Sequence, residues 1–177
     1  MNEVLDFWFK TLSPKDWWTK SDELDLQIKE KFLATHTSAI KGELGPWRET
    51  PDGRLAEVIV LDQFSRNIYR DDPRSFAYDG MALILAQEAI RVGDDLKLDL
   101  SRRSFIYMPH MHSESLLIHN DAVELFSASN LKDNLNFELA HKEIIEKFGR
   151  YPHRNNILGR ASSTHEIEFL KGPNSSF

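Results

Sequence analysis

Three features of the sequence predict an all-α fold. Apolar residues recur at helical spacing wherever a segment is long enough to show it, no strand-length alternation is bounded by hairpin turns, and glycine and proline mostly punctuate the periodic stretches. The reading is a single helical domain over residues 1–177, with about seven to nine helices packed as antiparallel hairpins. A chain of this size can bury roughly two thirds of its unfolded surface. No signature repeats at the interval of about 34 residues typical of tetratricopeptide arrays.

The elements follow in order. The aromatics Phe7, Trp8, Phe9, Trp17 and Trp18 read as terminal helix packing that docks the N-terminus, since no basic tract accompanies them to make a base-stacking platform. Between Ser21 and Ile40, Leu24, Ile28, Phe32 and Thr35 share one helix face, and Gly42, Gly45 and Pro46 end it. A helix beginning near Gly53 sets Leu55, Val58, Ile59 and Leu61 against neighbours. Asp71 and Asp72 before Pro73 predict the start of a helix running to Ala89–Val92, whose centre MALILA is apolar nearly all round and is expected to lie between other helices. A short helix over Ser101–Met108 is expected to be interrupted by Pro109, and a further stretch covers Ser113–Ser127. Phe137, Ala140, Ile144, Ile145 and Phe148 form the stripe of a helix from Asn136 that Gly149 and Pro152 stop. A last helix over Thr164–Leu170 takes its cap from Ser163 or Thr164.

Composition excludes more than it selects. A formal charge of -6 argues against duplex nucleic acid and anionic membranes as partners, while leaving room for a local anion site. The absence of cysteine removes disulfides, thiolate nucleophiles and thiolate-ligated metals. The acidic N-terminus MNEVLDFWFK is unlike a signal peptide, and no apolar run is long enough to cross a bilayer, so the cytoplasm is the expected location.

Two arginine-rich words carry the chemistry, LDQFSRNIYR at 61–70 and FGRYPHRNNILGR at 148–160. With Arg74 they hold six of the eleven arginines, interleaved with amides and apolar anchors. On a helix through 61–70, Gln63, Asn67 and Arg70 share a polar face, and Asp62 can pair with Arg66. One reading makes these groups braces between helices, because a buried guanidinium must find carboxylates or carbonyls. The other lets Arg66 or Arg70 present its planar fork to a ligand carboxylate or phosphate, with Gln63 and Asn67 orienting it. In the second word, Arg150, His153, Arg154, Asn155 and Arg160 surround a turn set by Gly149 and Pro152; His153 either joins a hydrogen-bond network or moves a proton. Sequence separation leaves open whether the two words touch.

Between them lies YMPHMHSESLLIH at 107–119. His112, Glu114 and His119 suit a divalent metal by type, but His112 and His119 are nearly two helical turns apart and neither HExxH nor paired ExxH occurs. A carboxylate–histidine hydrogen bond or a helix cap is the simpler reading, and no metal or other cofactor is expected. No dinucleotide fingerprint, Walker loop, nucleophile elbow or kinase set is present.

Taken together, VLDFWF at 4–9, LDQFSRNIYR, YMPHMHSE and HKEIIEKFGRYPHRNNILGR at 141–160 resemble the bacterial DUF924 family of uncharacterised proteins over nearly the whole chain. Tyr107, Pro109, His112, Ser113 and Glu114 match one of its words. Asp62, Gln63, Arg66, Asn67 and Arg70 match a second, and Arg150, Pro152, His153, Arg154, Asn155, Gly159 and Arg160 a third. Tyr151 stands where phenylalanine is common in the family, adding a hydroxyl to an aromatic anchor. The resemblance implies a tetratricopeptide-like helical fold and supplies no activity. The residues therefore point first to binding of an anionic small molecule or peptide through Gln63, Arg66, Asn67, Arg70, His112, Glu114, Arg150, His153, Arg154, Asn155 and Arg160. The alternatives are an enzyme such as a hydrolase using His153 or His112 for proton transfer, and a protein-interaction scaffold.

Overall fold

The structure, a computed structural model, describes residues 1–173 and Ser175. Among them it contains nine α-helices and no strand: α1 Asn2–Asp6, α2 Asp22–Ile40, α3 Pro51–Ile59, α4 Ser65–Ile68, α5 Asp79–Arg91, α6 Leu100–Met111, α7 Leu116–Ala128, α8 Lys132–Phe148 and α9 Thr164–Phe169. The all-α class holds. The helices group into two compact units, Met1–Arg70 with Arg74–Pro109, and Asp71–Pro73 with His110–Phe177. No helix among the described residues is long and apolar enough to cross a membrane.

In the first unit, α2 packs against α4 and the turn before it, and α3 packs against α1 and α5. Ser21 caps α2 by accepting the Leu24 N–H; of the expected stripe Ile28 and Phe32 are buried while Leu24 and Thr35 are only partly covered, and His36 and Ala39 complete the buried face. Thr50 caps α3 through the Gly53 N–H, with Pro51 in the first turn, so the helix starts at Pro51 rather than Gly53. The N-terminal rings close this core: Phe7 meets Phe32 edge-on at 5.2 Å, Trp8 stacks on Trp17 at 6.2 Å, and Trp8 meets Phe105 at 5.6 Å.

The second unit contains a hairpin of α7 and α8, joined by the short link 129–131. Its apolar cluster is Ile144, Ile145 and Tyr151, with Phe148 and Phe169 packed against it. Gly149 ends α8 at φ 67°, and its N–H returns to the Ile145 carbonyl at 2.8 Å. Ser163 and Glu166 form a reciprocal capping box at the start of α9, as the serine cap predicts.

Four expectations need correction. The residues after Pro73 form only a short 3₁₀ turn, Pro73–Ser75, and α5 begins at Asp79. The MALILA segment is not enclosed: α5 buries Ala82, Ala86 and Ala89, a small-residue stripe that lets a neighbour approach closely, while Ile84 on the other side is 66% exposed. Pro109 does not interrupt its helix: α6 runs through it to Met111, although Pro109 offers no N–H to the Phe105 carbonyl four residues back. On α8 the buried residues are Glu138, His141, Ile144 and Ile145, and Phe137 is 59% exposed. The face has turned toward two polar side chains because both find partners inside, as described below.

Gly53 is the position where a side chain cannot be accommodated. A Cβ there would stand 1.8 Å from the Trp47 carbonyl oxygen, an atom of the backbone that cannot swing away. Gly80, in α5, has no atom within 4 Å of the same position. Gly53→Ala is therefore expected to destabilise the protein by about 2 kcal/mol or more through overpacking. Gly80→Ala should instead stabilise it by about 0.5 kcal/mol by restricting the unfolded chain. Denaturant unfolding of the two variants checks both signs.

Candidate functional site

In the first unit the sequence word 61–70 is not one continuous α-helix. Val60–Phe64 is a π-helical turn, followed by the α4 turn Ser65–Ile68. A wider turn breaks the four-residue register, so Gln63 leaves the face it was expected to share with Asn67 and Arg70. Its Nε2 donates to Asp62 and contacts Met108 Sδ at 3.3 Å in the core. Asn67 Nδ2 donates to Asp25 Oδ1 at 2.8 Å, and the Arg70 fork closes on the same carboxylate. Arg66 Nη1 lies 3.3 Å from Asp62 Oδ1, the expected pairing, and its two terminal nitrogens bind the Asp79 carboxylate in parallel at 3.1 Å each. Asp25 and Asp79 were missed in the sequence because acidic residues are common here and neither stands near its arginine along the chain.

In the second unit the two words HSE and GRYPHRNN meet each other. The Glu114 carboxylate accepts the Tyr151 N–H at 2.8 Å and both terminal nitrogens of Arg160, at 2.6 and 2.9 Å. Arg160 also donates to Asn155 Oδ1 and to the Tyr151 carbonyl. Asn155 passes the network on through Nδ2 to Ser162 Oγ at 3.0 Å and Glu166 Oε1 at 3.3 Å, and Glu166 is gripped by Arg150 at 2.7 and 2.9 Å. Burial acts to raise the Glu114 pKa, but the Arg160 fork and the Tyr151 N–H outweigh it and hold it below the usual value. The Arg150 fork, then the Ser163 N–H, hold Glu166 far below the carboxylate range.

Tyr151 is the hub of this region. Its ring is buried, its hydroxyl donates to the Met111 carbonyl at 2.6 Å, and the Arg154 guanidinium stacks over its face at 4.6 Å. Arg154 Nη2 donates to the His112 carbonyl at 3.1 Å. The rings of His119, His141 and His153 lie 6.2, 5.8 and 5.4 Å from that of Tyr151. His112 and His153 are half-buried, whereas His119 and His141 are buried.

Next to the Tyr151 hydroxyl sits a buried pair. His119 Nδ1 lies 2.6 Å from Glu138 Oε1, and His119 Nε2 is 2.9 Å from the Ser113 carbonyl, which fixes a proton on Nε2. Tyr151 has already given its own proton to Met111, so at 3.2 Å its oxygen is a second acceptor for Nε2–H. Burial raises the Glu138 pKa, offset by its bond to His119, and one proton bridges Glu138 Oε1 and His119 Nδ1. Both imidazole nitrogens are thus in use, which makes His119 a fixed strut. His141 donates Nδ1–H to the Phe137 carbonyl at 2.7 Å; burial, with His112, His119 and His153 nearby, pushes its pKa down to about 3. The sequence missed Glu138 and His141; the signal available was their spacing of three on the face next to Ile144 and Ile145. Among the described residues no group of three or more acidic or histidine side chains is arranged to hold a metal ion.

A further feature borders the network. A hollow of about 660 Å³ is lined by Lys147, Phe148, Arg150, Ser163, His165 and Glu166. Lys147 Nζ lies 5.1 Å from the Phe148 ring centre and 5.5 Å from that of Phe169, and among the described residues no carboxylate pairs with it. Lys147 and His165 carried no sequence signal, being ordinary exposed residues beside Gly149 and Ser163.

A helical chain cross-braced by arginine–carboxylate forks, with polar words that pair in space, defines a class by its architecture. Residues 4–174 match the model of a bacterial protein family of unknown function, DUF924, and the chain belongs to that family. It is similar to a solved structure of a protein of unknown function from Agrobacterium tumefaciens, with 34% identity, 97% of each chain covered and a TM-score of 0.89. No curated protein matches it.

The buried imidazoles make stability depend on pH with a definite sign. His36 Nε2 donates to Ser65 Oγ while its Nδ1 has no partner, and burial pushes its pKa down to about 4. For His36 and His141 the unfolded chain binds a proton below about pH 6.5 that the folded chain refuses. Stability is therefore expected to fall as pH drops from 6.5 toward 4, above the window in which Glu114 and Glu166 begin to lose theirs. Glu138, with its raised pKa, works in the opposite direction, losing stability as pH rises. Denaturant unfolding between pH 7 and 4.5 should show the decline, with a shallower slope in His141→Leu.

Proposed function

We propose that the protein binds an anionic small molecule, or the acidic group of a peptide, at the hollow lined by Lys147, Arg150 and His165. The observation that carries this reading is the Lys147 ammonium, which stands at an open hollow with rings rather than carboxylates as its neighbours among the described residues. The arginine–amide cluster acts here mainly as the frame. Glu114, Asn155 and Arg160 hold the turn after Gly149, and Arg150 belongs both to that frame and to the hollow. The remaining forks, Arg66 on Asp79 and Arg70 on Asp25, support a bracing role in the first unit.

A second reading, a hydrolase using His112 or His153, draws on the half-buried position of those rings beside Arg154 and Tyr151. Membership of the tetratricopeptide-like superfamily is part of the proposal too, supported by the antiparallel α7–α8 hairpin.

The test is capture of small molecules from cell extract by the native protein, analysed by mass spectrometry. An anionic species should be retained by the wild type and reduced at least about tenfold in Lys147→Glu, since reversing a charge at a binding site repels an anion. Lys147 is exposed, so the variant should stay folded, with a loss of about 1 kcal/mol or less from the reversed charge in the last turn of α8. Equal recovery of every species by the two proteins overturns the proposal.

A further inference from the structure

The hollow has a composition that selects among anions, and the following inference rests on the reading of it as an anion site. Its charges do not add to a strongly basic surface. The guanidinium of Arg150 is matched by Glu166, both of whose oxygens it holds, so Lys147 is left as the one fully charged group without a counter-ion among the described lining residues. Glu166 stays ionised and supplies a fixed negative charge at the same wall. With the Glu166 charge cancelled by Arg150, Lys147 leaves the lining with a single net positive charge, which matches a monoanion and leaves half of a dianion such as phosphate unbalanced.

The apolar side is as definite. Phe148 lines the hollow, and Phe169 backs it at a ring separation of 5.0 Å and a tilt of 52°. The Lys147 ammonium sits over both rings, so an anion bound to it is brought within a ring's breadth of an aromatic face. Space is not limiting, because the hollow opens to solvent and its volume of about 660 Å³ exceeds that of one aromatic ring.

We infer that the hollow takes an aromatic monocarboxylate, its carboxylate on Lys147 with His165 alongside and its ring against Phe148. The test is an NMR titration of the full chain with four probes: 3-phenylpropionate, propionate, phenylethylamine and inorganic phosphate. Phenylpropionate should shift the signals of residues 147–150 and 163–166 and bind about tenfold more tightly than propionate, the gain expected from packing one ring on another. Phenylethylamine should leave those signals unmoved, and Lys147→Gln should abolish the response to both acids. Phe148→Leu should bring phenylpropionate to within about twofold of propionate. Because Phe148 also packs in the core cluster, that arm is read only if the variant's spectrum remains dispersed, and the probe series on the wild type decides the matter without it. Equal affinity for the two acids, or tighter binding of phosphate, overturns the aromatic monocarboxylate while leaving an anion site in place. Silence toward all three anions overturns the anion site itself.

Discussion

A guanidinium taken out of water must be met by oxygen acceptors in the plane of its fork, and much of this structure follows from how that demand is met. Arg160 closes on Glu114, Arg150 on Glu166, Arg70 on Asp25, Arg66 on Asp79 and Arg48 on Glu57. In each case the carboxylate comes from another element, so each pair ties two segments whose own backbone bonds are satisfied locally. The stability of such a pair over an apolar replacement is modest, but loss of one partner leaves a charge stranded. The forks therefore act less as sources of stability than as constraints on which segments lie together.

The second unit shows the consequence most fully. Glu114 accepts from the Tyr151 N–H and from Arg160, and this pins the turn after Gly149 to the segment after α6. Tyr151 then reaches the Met111 carbonyl, and His119, held by Glu138, meets the same hydroxyl at 3.2 Å. The histidine–serine–glutamate word and the glycine–arginine–tyrosine word are two sides of one contact, which gives their co-occurrence in the chain a physical reason. Phenylalanine at Tyr151 would keep the ring and its stack with Arg154 but leave the Met111 carbonyl without that donor. With the turn held, Lys147 and Arg150 are fixed at the edge of the hollow.

Much of the fold was legible because it is periodic. The Ile28 and Phe32 pair on α2, the Gly149 stop and the Ser163 cap depend on local rules of spacing and backbone geometry that a sequence displays directly. What was hidden depends on registers and partners. The π turn at Val60–Phe64 moves Gln63 off the face of Asn67 and Arg70, and nothing in its composition distinguishes it from an α turn. On α8 the hydrophobic count favoured Phe137, but Glu138 and His141 turn inward because each finds a bond there. The candidate site was legible as a set of residues that belong to polar networks. Which carboxylate fills which fork, and that Lys147 is left beside a hollow, required the positions of residues far apart in sequence.

Whether the arginine-rich words are braces is most directly measured at the Glu114–Arg160 pair. A double-mutant cycle with Glu114→Ala, Arg160→Ala and the double variant, followed by denaturant unfolding, isolates the pairwise interaction. Both side chains are partly exposed, so the predicted coupling is about 1–2 kcal/mol rather than the larger value of a fully buried pair. A coupling below about 0.3 kcal/mol would contradict the account and return the Arg160 fork to consideration as a receptor for ligand.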